Sequence, residues 1–124
     1  MQVFVAAAVT AGLSLVLATA PAIAGPLEDG VKAYSKADYR AAERLLMPLA
    51  EQGNVDAMYS IAMMYHKGQG LSEDKVKAHL WYDLASRNGD KDAASDRDAL
   101  ERDMTPDQVA EAKKMATEWK PKAK

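Results

Sequence analysis

No cysteine occurs among the 124 residues, which excludes a disulfide framework, a thiolate metal site and a cysteine nucleophile together. Charge is missing as well, but only locally: none of the 34 Asp, Glu, Lys or Arg residues precedes Glu28. Beyond that point the 16 basic and 18 acidic residues are mixed and leave a net charge of −2. There is no excess of one sign, and so no electrostatic footprint for nucleic acid. The chain has only two histidines, His66 and His79, and a single phenylalanine. Its length suits one small domain rather than two.

What fills the uncharged start is apolar. Residues 1–24 hold 18 apolar side chains, and the run from Val3 to Leu17 is broken only by Thr10, Gly12 and Ser14. Pro21-Ala22-Ile23-Ala24-Gly25-Pro26 follows. Ala22 and Ala24 form the small-x-small pattern of a signal peptidase site, and Pro21 ends any helix just upstream, leaving the segment extended for cleavage. The reading is a signal peptide over 1–24, cleaved after Ala24, and a periplasmic or secreted protein with no membrane span after cleavage. No Lys or Arg precedes the apolar run, so only the terminal amine supplies the positive charge that such signals carry. The competing reading is a membrane anchor, because about 22 residues can span a bilayer. The alanine-rich composition and the proline in the last turn argue against it.

From Glu28 onward the sequence repeats itself. A shift of 36 residues brings Ala42 onto Ala78, Leu45 onto Trp81, Leu46 onto Tyr82, Gly53 onto Gly89, Asp56 onto Asp92 and Ala57 onto Ala93. A period of this length signals stacked helical units. Between the glycines, apolar residues recur every three or four positions, as in Ala41, Leu45, Leu49 and in Ala78, Trp81, Tyr82, Ala85. Gly53 and Gly89 stand where left-handed helix caps belong, and Asn54 and Asp90 behind them are good helix starters. Six helices are predicted, near 27–35, 38–52, 54–67, 73–88, 91–103 and 106–119, with no strand. Pro48 inside the second should remove a backbone bond or bend the helix. Ser72 is placed to cap the fourth helix behind the turn Lys67-Gly68-Gln69-Gly70-Leu71. Thr105-Pro106-Asp107-Gln108 combines an N-cap, a first-turn proline and the glutamine of a capping box. Val109, Ala112, Ala116 and Trp119 give the last helix a stripe with which to cover the open end of the stack.

The segment Ala57-x3-Ile61-Ala62-x2-Tyr65-x2-Gly68-x-Gly70-Leu71-x2-Asp74-x2-Lys77-Ala78-x2-Trp81-x3-Ala85-Ser86-x2-Gly89 resembles one complete Sel-1-like repeat, a relative of the tetratricopeptide repeat (TPR). Ile61-Ala62 stands for the family's Leu-Gly pair, and Ser86 for the second alanine of its Ala-Ala pair. Upstream, Gly30 to Gly53 is similar to a shorter tetratricopeptide-like repeat without the glycine-rich turn. Downstream, Arg97, Asp98 and Glu101 replace Ile61, Ala62 and Tyr65, so the third copy has decayed into a cap. The resemblance implies an all-α fold of antiparallel helix-hairpin repeats, a short Sel-1-like/TPR-like α-solenoid with a C-terminal capping helix. The expected organisation is a repeat domain over 25–104, a capping helix over 105–120 and a disordered tail over 121–124.

Catalytic constellations are not evident. His66 and His79 lie 13 apart, outside any metal-ligand spacing, and are read as ordinary histidines. Gly68-x-Gly70 lacks the third glycine and the preceding strand of a nucleotide loop. Ser72-x-x-Lys75 matches an acyl-transfer spacing without its companion motifs, and helix capping explains the serine. The carboxylates at Asp83, Asp90, Asp92, Asp96, Asp98, Glu101 and Asp103 alternate with Arg87, Lys91, Arg97 and Arg102, which reads as a solvated, charge-paired helix face. No catalytic residue, cofactor or metal is expected.

The third helix carries more apolar surface than one hairpin needs. Val55, Ala57, Met58, Ile61, Ala62 and Tyr65 cover a core arc, Tyr59, Met63 and His66 extend it, and only Asp56 and Ser60 remain as a polar arc. Burial between neighbouring layers is one explanation. The other is a partner-binding face at Tyr59, Met63 and His66, positions that the resemblance places toward the concave groove, where thioether and aromatic groups suit adaptable recognition. The expected role is an exported module that binds a protein or peptide in the cell envelope. The alternatives are an envelope hydrolase on a repeat scaffold, with His66 or His79 beside a nucleophile and a carboxylate, and a self-associating adaptor that forms a homo-oligomer.

Overall fold

A computed structural model describes residues 25–123. The expected signal peptide and its cleavage site after Ala24 lie outside them, apart from Gly25 on the far side of the bond. Six helices follow one another: α1 (Pro26–Ser35), α2 (Tyr39–Glu51), α3 (Val55–Lys67), α4 (Lys75–Arg87), α5 (Lys91–Glu101) and α6 (Pro106–Glu118). Among the described residues there is no strand. Successive helices pack on one another from α1 through α5, and α6 packs on α4.

Three of the connections are built alike. After α2, Gly53 N–H donates to Ala50 O and Asn54 N–H to Leu49 O; after α4, Gly89 and Asp90 do the same to Ser86 and Ala85. This pair of bonds closes a helix through a residue in the left-handed region, and Gly53 (φ 104°) and Gly89 (φ 102°) adopt it as expected. Asn54 and Asp90 then accept from Ala57 N–H and Ala93 N–H, starting the next helix. The turn after α1 uses the same device at Ala37-Asp38, with Ala37 at φ 63° where a glycine would be unstrained. An alanine in that place hides the turn from any search for glycine.

Helix α2 runs through Pro48 to Glu51, so the proline removes one donor in the last turn without ending the helix. Helix α4 begins later than expected. Its cap is Asp74, which accepts from Lys77 N–H, and the exposed Ser72 has no capping role. Thr105 and Gln108 exchange both bonds of a capping box at the start of α6.

The small residues mark the close approaches. Ala42, Ala62 and Ala78 are fully buried, while Trp81 and Tyr82 fill the space between layers. Gly30 is one approach that periodicity does not reveal: a Cβ there would lie 2.5 Å from Leu46 Cδ2. At the far end Ala112 and Ala116 are buried, and Trp119 meets Trp81 edge to face at 6.1 Å. Residues 119–123 have no regular structure, yet the described part of the tail is not loose as expected. Lys122 N–H donates to Glu51 O at 2.7 Å and Lys122 Nζ reaches Glu51 Oε2 at 3.0 Å, tying the tail to the end of α2. Among the described residues no helix is long and apolar enough to cross a membrane.

Candidate functional site

Helix α3 is enclosed on most of its circumference. Ala57, Met58, Ile61, Ala62 and Met64 are fully buried, and Ser60, expected on the polar arc, is buried with them. Asp56 and Lys67 are exposed, and Tyr59, Met63 and His66 are half-buried. With 100° per residue, Asp56, Tyr59, Met63 and His66 share an arc of about 80°. They form the one stripe of α3 that has access to solvent along its length.

Tyr82 of α4 gathers this stripe. It is 1 % exposed, its ring lies 5.9 Å from that of Tyr59, and its hydroxyl shares a 3.1 Å hydrogen bond with His66 Nδ1. Burial pushes its pKa well above the usual phenol value, with Asp96, Tyr59 and Tyr34 adding to the shift. Tyr59 Oη donates to Asp96 Oδ2 of α5 at 2.6 Å. That bond is the main cause of a strongly raised Tyr59 pKa, followed by desolvation and by the charges of Asp96, Asp92 and Asp90. Tyr59 and His66 are thus held by intramolecular partners, and Met63 packs on the core beside them. The two readings of the helix, inter-repeat packing and open face, meet in the same residues.

A second cluster lies at the glycine-rich turn. Gly68 (φ 67°) caps α3, and Gly70 (φ 77°) brings the backbone against Tyr39, where a Cβ would lie 2.7 Å from Tyr39 Cβ. Between them Gln69 accepts from Tyr34 Oη at 2.7 Å and donates to Tyr39 Oη at 3.2 Å. The turn therefore bridges to the first hairpin. At the opposite end of α3 from this turn, α1 and α3 enclose an apolar depression of about 460 Å³ lined by Leu27, Glu28, Val31, Lys32 and Asp56. Val31 is 42 % exposed.

Two polar pairs on α4 escape sequence reasoning. Asp83, expected on a solvated face, is 5 % exposed and is clamped by Arg97 at 2.8 Å and Arg87 at 3.0 Å. His79 is fully buried, with Nε2 2.7 Å from Glu101 Oε2 and Nδ1 without a partner. A histidine–carboxylate pair is half of what nucleophilic catalysis needs, but among the described residues no hydroxyl bonds to Nδ1. Among the described residues no cluster of three His, Cys, Asp or Glu residues could hold a metal.

The Sel1 repeat family matches residues 55–90. The match opens on the first residue of α3 and closes on Asp90, the cap of α5, so it covers one hairpin and the glycine turn inside it. A search of curated proteins gives no match. Residues 55–90 thus form one complete Sel1-like repeat, set among helices joined by the same caps.

Proposed function

We propose that this protein is an exported module that binds a protein or peptide in the cell envelope through the face of α3 bearing Tyr59, Met63 and His66. Sel1 repeats mediate protein–protein interaction as a class and are typically non-catalytic scaffolds. The observation that supports this face is the half-buried stripe on α3: most of the helix beside it is enclosed, and these side chains combine a thioether with aromatic rings already fixed in place. Preorganised aromatic groups lower the entropy lost on docking. The uncharged segment 1–24 supports export.

Cross-linking and pull-down from the envelope, with wild type beside Met63→Ala and the Tyr59/Met63/His66 triple-alanine variant, test the proposal. Loss of the same partner from both variants, with circular dichroism unchanged, supports it. Because Met63→Ala leaves the Tyr59 and His66 hydrogen bonds in place, an unchanged partner list for that variant would remove the site. Light scattering on the purified chain distinguishes a monomeric binder from a self-associating one.

A further inference from the structure

The proposed face is acidic as well as aromatic. Asp56 opens the stripe on α3 and also lines the depression beside Val31. The Tyr59 hydroxyl donates to Asp96, Asp92 lies one turn before Asp96 on the same side of α5, and Asp90 caps that helix. Glu28 borders the apolar depression on the α1 side, with Lys32 the one cation in its lining. Among the described residues, no cation forms an ion pair with Asp56, Asp90, Asp92 or Asp96. The cations on α1, α3 and α5 are Lys32, Lys67, Lys91, Arg97 and, at the α5 C-cap, Arg102; Arg97 is engaged by Asp83 and Asp98. The chain as a whole is nearly neutral, so this concentration of unneutralised carboxylates is local.

We infer that this face takes a basic peptide segment, one that sets Lys or Arg side chains against Asp56, Asp92 and Asp96 and an apolar residue into the depression between Leu27 and Val31. The inference rests on the binding role proposed above and specifies the partner's chemistry. A guanidinium or ammonium reaching Asp92 and Asp96 passes the Tyr59 ring, whose face attracts cations. The fold makes one such contact internally, Lys77 Nζ standing 5.6 Å from the centre of the Tyr65 ring. A glutamate-rich segment would meet like charge at Asp56, Asp92 and Asp96, so selection against acidic partners comes from the same residues.

Fluorescence anisotropy with the full chain and labelled flexible peptides of Lys, Leu and Gly, beside counterparts carrying Glu or Ser in place of Lys, reads the preference directly. The Lys peptide should bind, the Ser peptide more weakly and the Glu peptide not at all, with affinity falling about tenfold as salt is raised to molar strength. Asp92→Asn with Asp96→Asn should weaken the Lys peptide about tenfold, and Glu111→Gln on α6 should not. Asn at position 96 still accepts from Tyr59, so the fold is retained. Equal or tighter binding of the Ser or Glu peptide, lost in Met63→Ala, would overturn the basic preference while leaving the binding face standing. Binding of no peptide would overturn both.

Discussion

Tyr59 and Asp96, 37 residues apart, share a 2.6 Å hydrogen bond that fastens α3, the first helix of the Sel1 repeat, to α5 behind it. In α5 only Ala93 and Leu100 are buried, so apolar packing alone gives this helix little hold. The Tyr59–Asp96 bond and the Arg97–Asp83 pair supply two further points of attachment.

Tyr59→Phe should therefore loosen α5 selectively. A hydrogen bond to a charged acceptor contributes about 1.5–3 kcal/mol, and a half-exposed site falls near the lower end. Urea unfolding should show a loss of about 1.5 kcal/mol for Tyr59→Phe and a smaller one for Asp96→Asn, which still accepts. Hydrogen exchange should rise first in α5.

Alkaline pH should destabilise the fold. Tyr59 and Tyr82 have folded pKa values raised above the ordinary 10.0. Above pH 10 the unfolded chain loses phenol protons that the folded chain keeps, so stability is fully present below that value and falls as pH rises beyond it. Thermal melts between neutral pH and pH 11 should show the decline, and Tyr59→Phe should flatten it.

Two glycines in the left-handed region should respond differently to alanine. At Gly89 a Cβ meets nothing within 4 Å, so Gly89→Ala carries only the backbone penalty of about 1–2 kcal/mol. At Gly70 the Cβ would also collide with Tyr39, and Gly70→Ala should lose about 3 kcal/mol or more as the turn withdraws from the first hairpin. Equal losses at the two positions would show that the turn does not bear on Tyr39.

Ala37→Gly runs the other way. The alanine holds φ 63° between α1 and α2, and glycine relieves that strain, offset in part by its greater freedom when unfolded. The net gain should be about 0.5–1 kcal/mol, seen as a midpoint rise of several degrees.

The end of the chain should matter more than its composition suggests. Removing residues from Thr105 onward takes away Ala112, Ala116 and Trp119 and uncovers Trp81, so the shortened chain should lose most of its cooperative melt. Removing only residues 121–124 breaks the Lys122–Glu51 contacts, which lie on the surface, and should cost about 1 kcal/mol or less.

The six helices, the left-handed caps at Gly53 and Gly89, the capping box at Thr105 and the Sel1-like hairpin are legible in the sequence alone, because periodicity and capping act between residues within four positions of one another. The sequence also brought Tyr59, Met63 and His66 to one side of α3 for the same reason. Which of them stay open, and what holds them, was settled by the crossing of helices. Tyr59 with Asp96, His79 with Glu101, Tyr34 with Gln69 and Arg97 with Asp83 are separated by 37, 22, 35 and 14 residues. Asp83 illustrates the limit: alternating charges on a helix look solvated until a neighbouring helix covers one of them, and a covered carboxylate then needs the cations that packing happens to bring. Ala37 and Ser72 show it on a smaller scale. An alanine can hold a left-handed turn and an aspartate two residues on can take the cap, when the surrounding contacts outweigh the local preference.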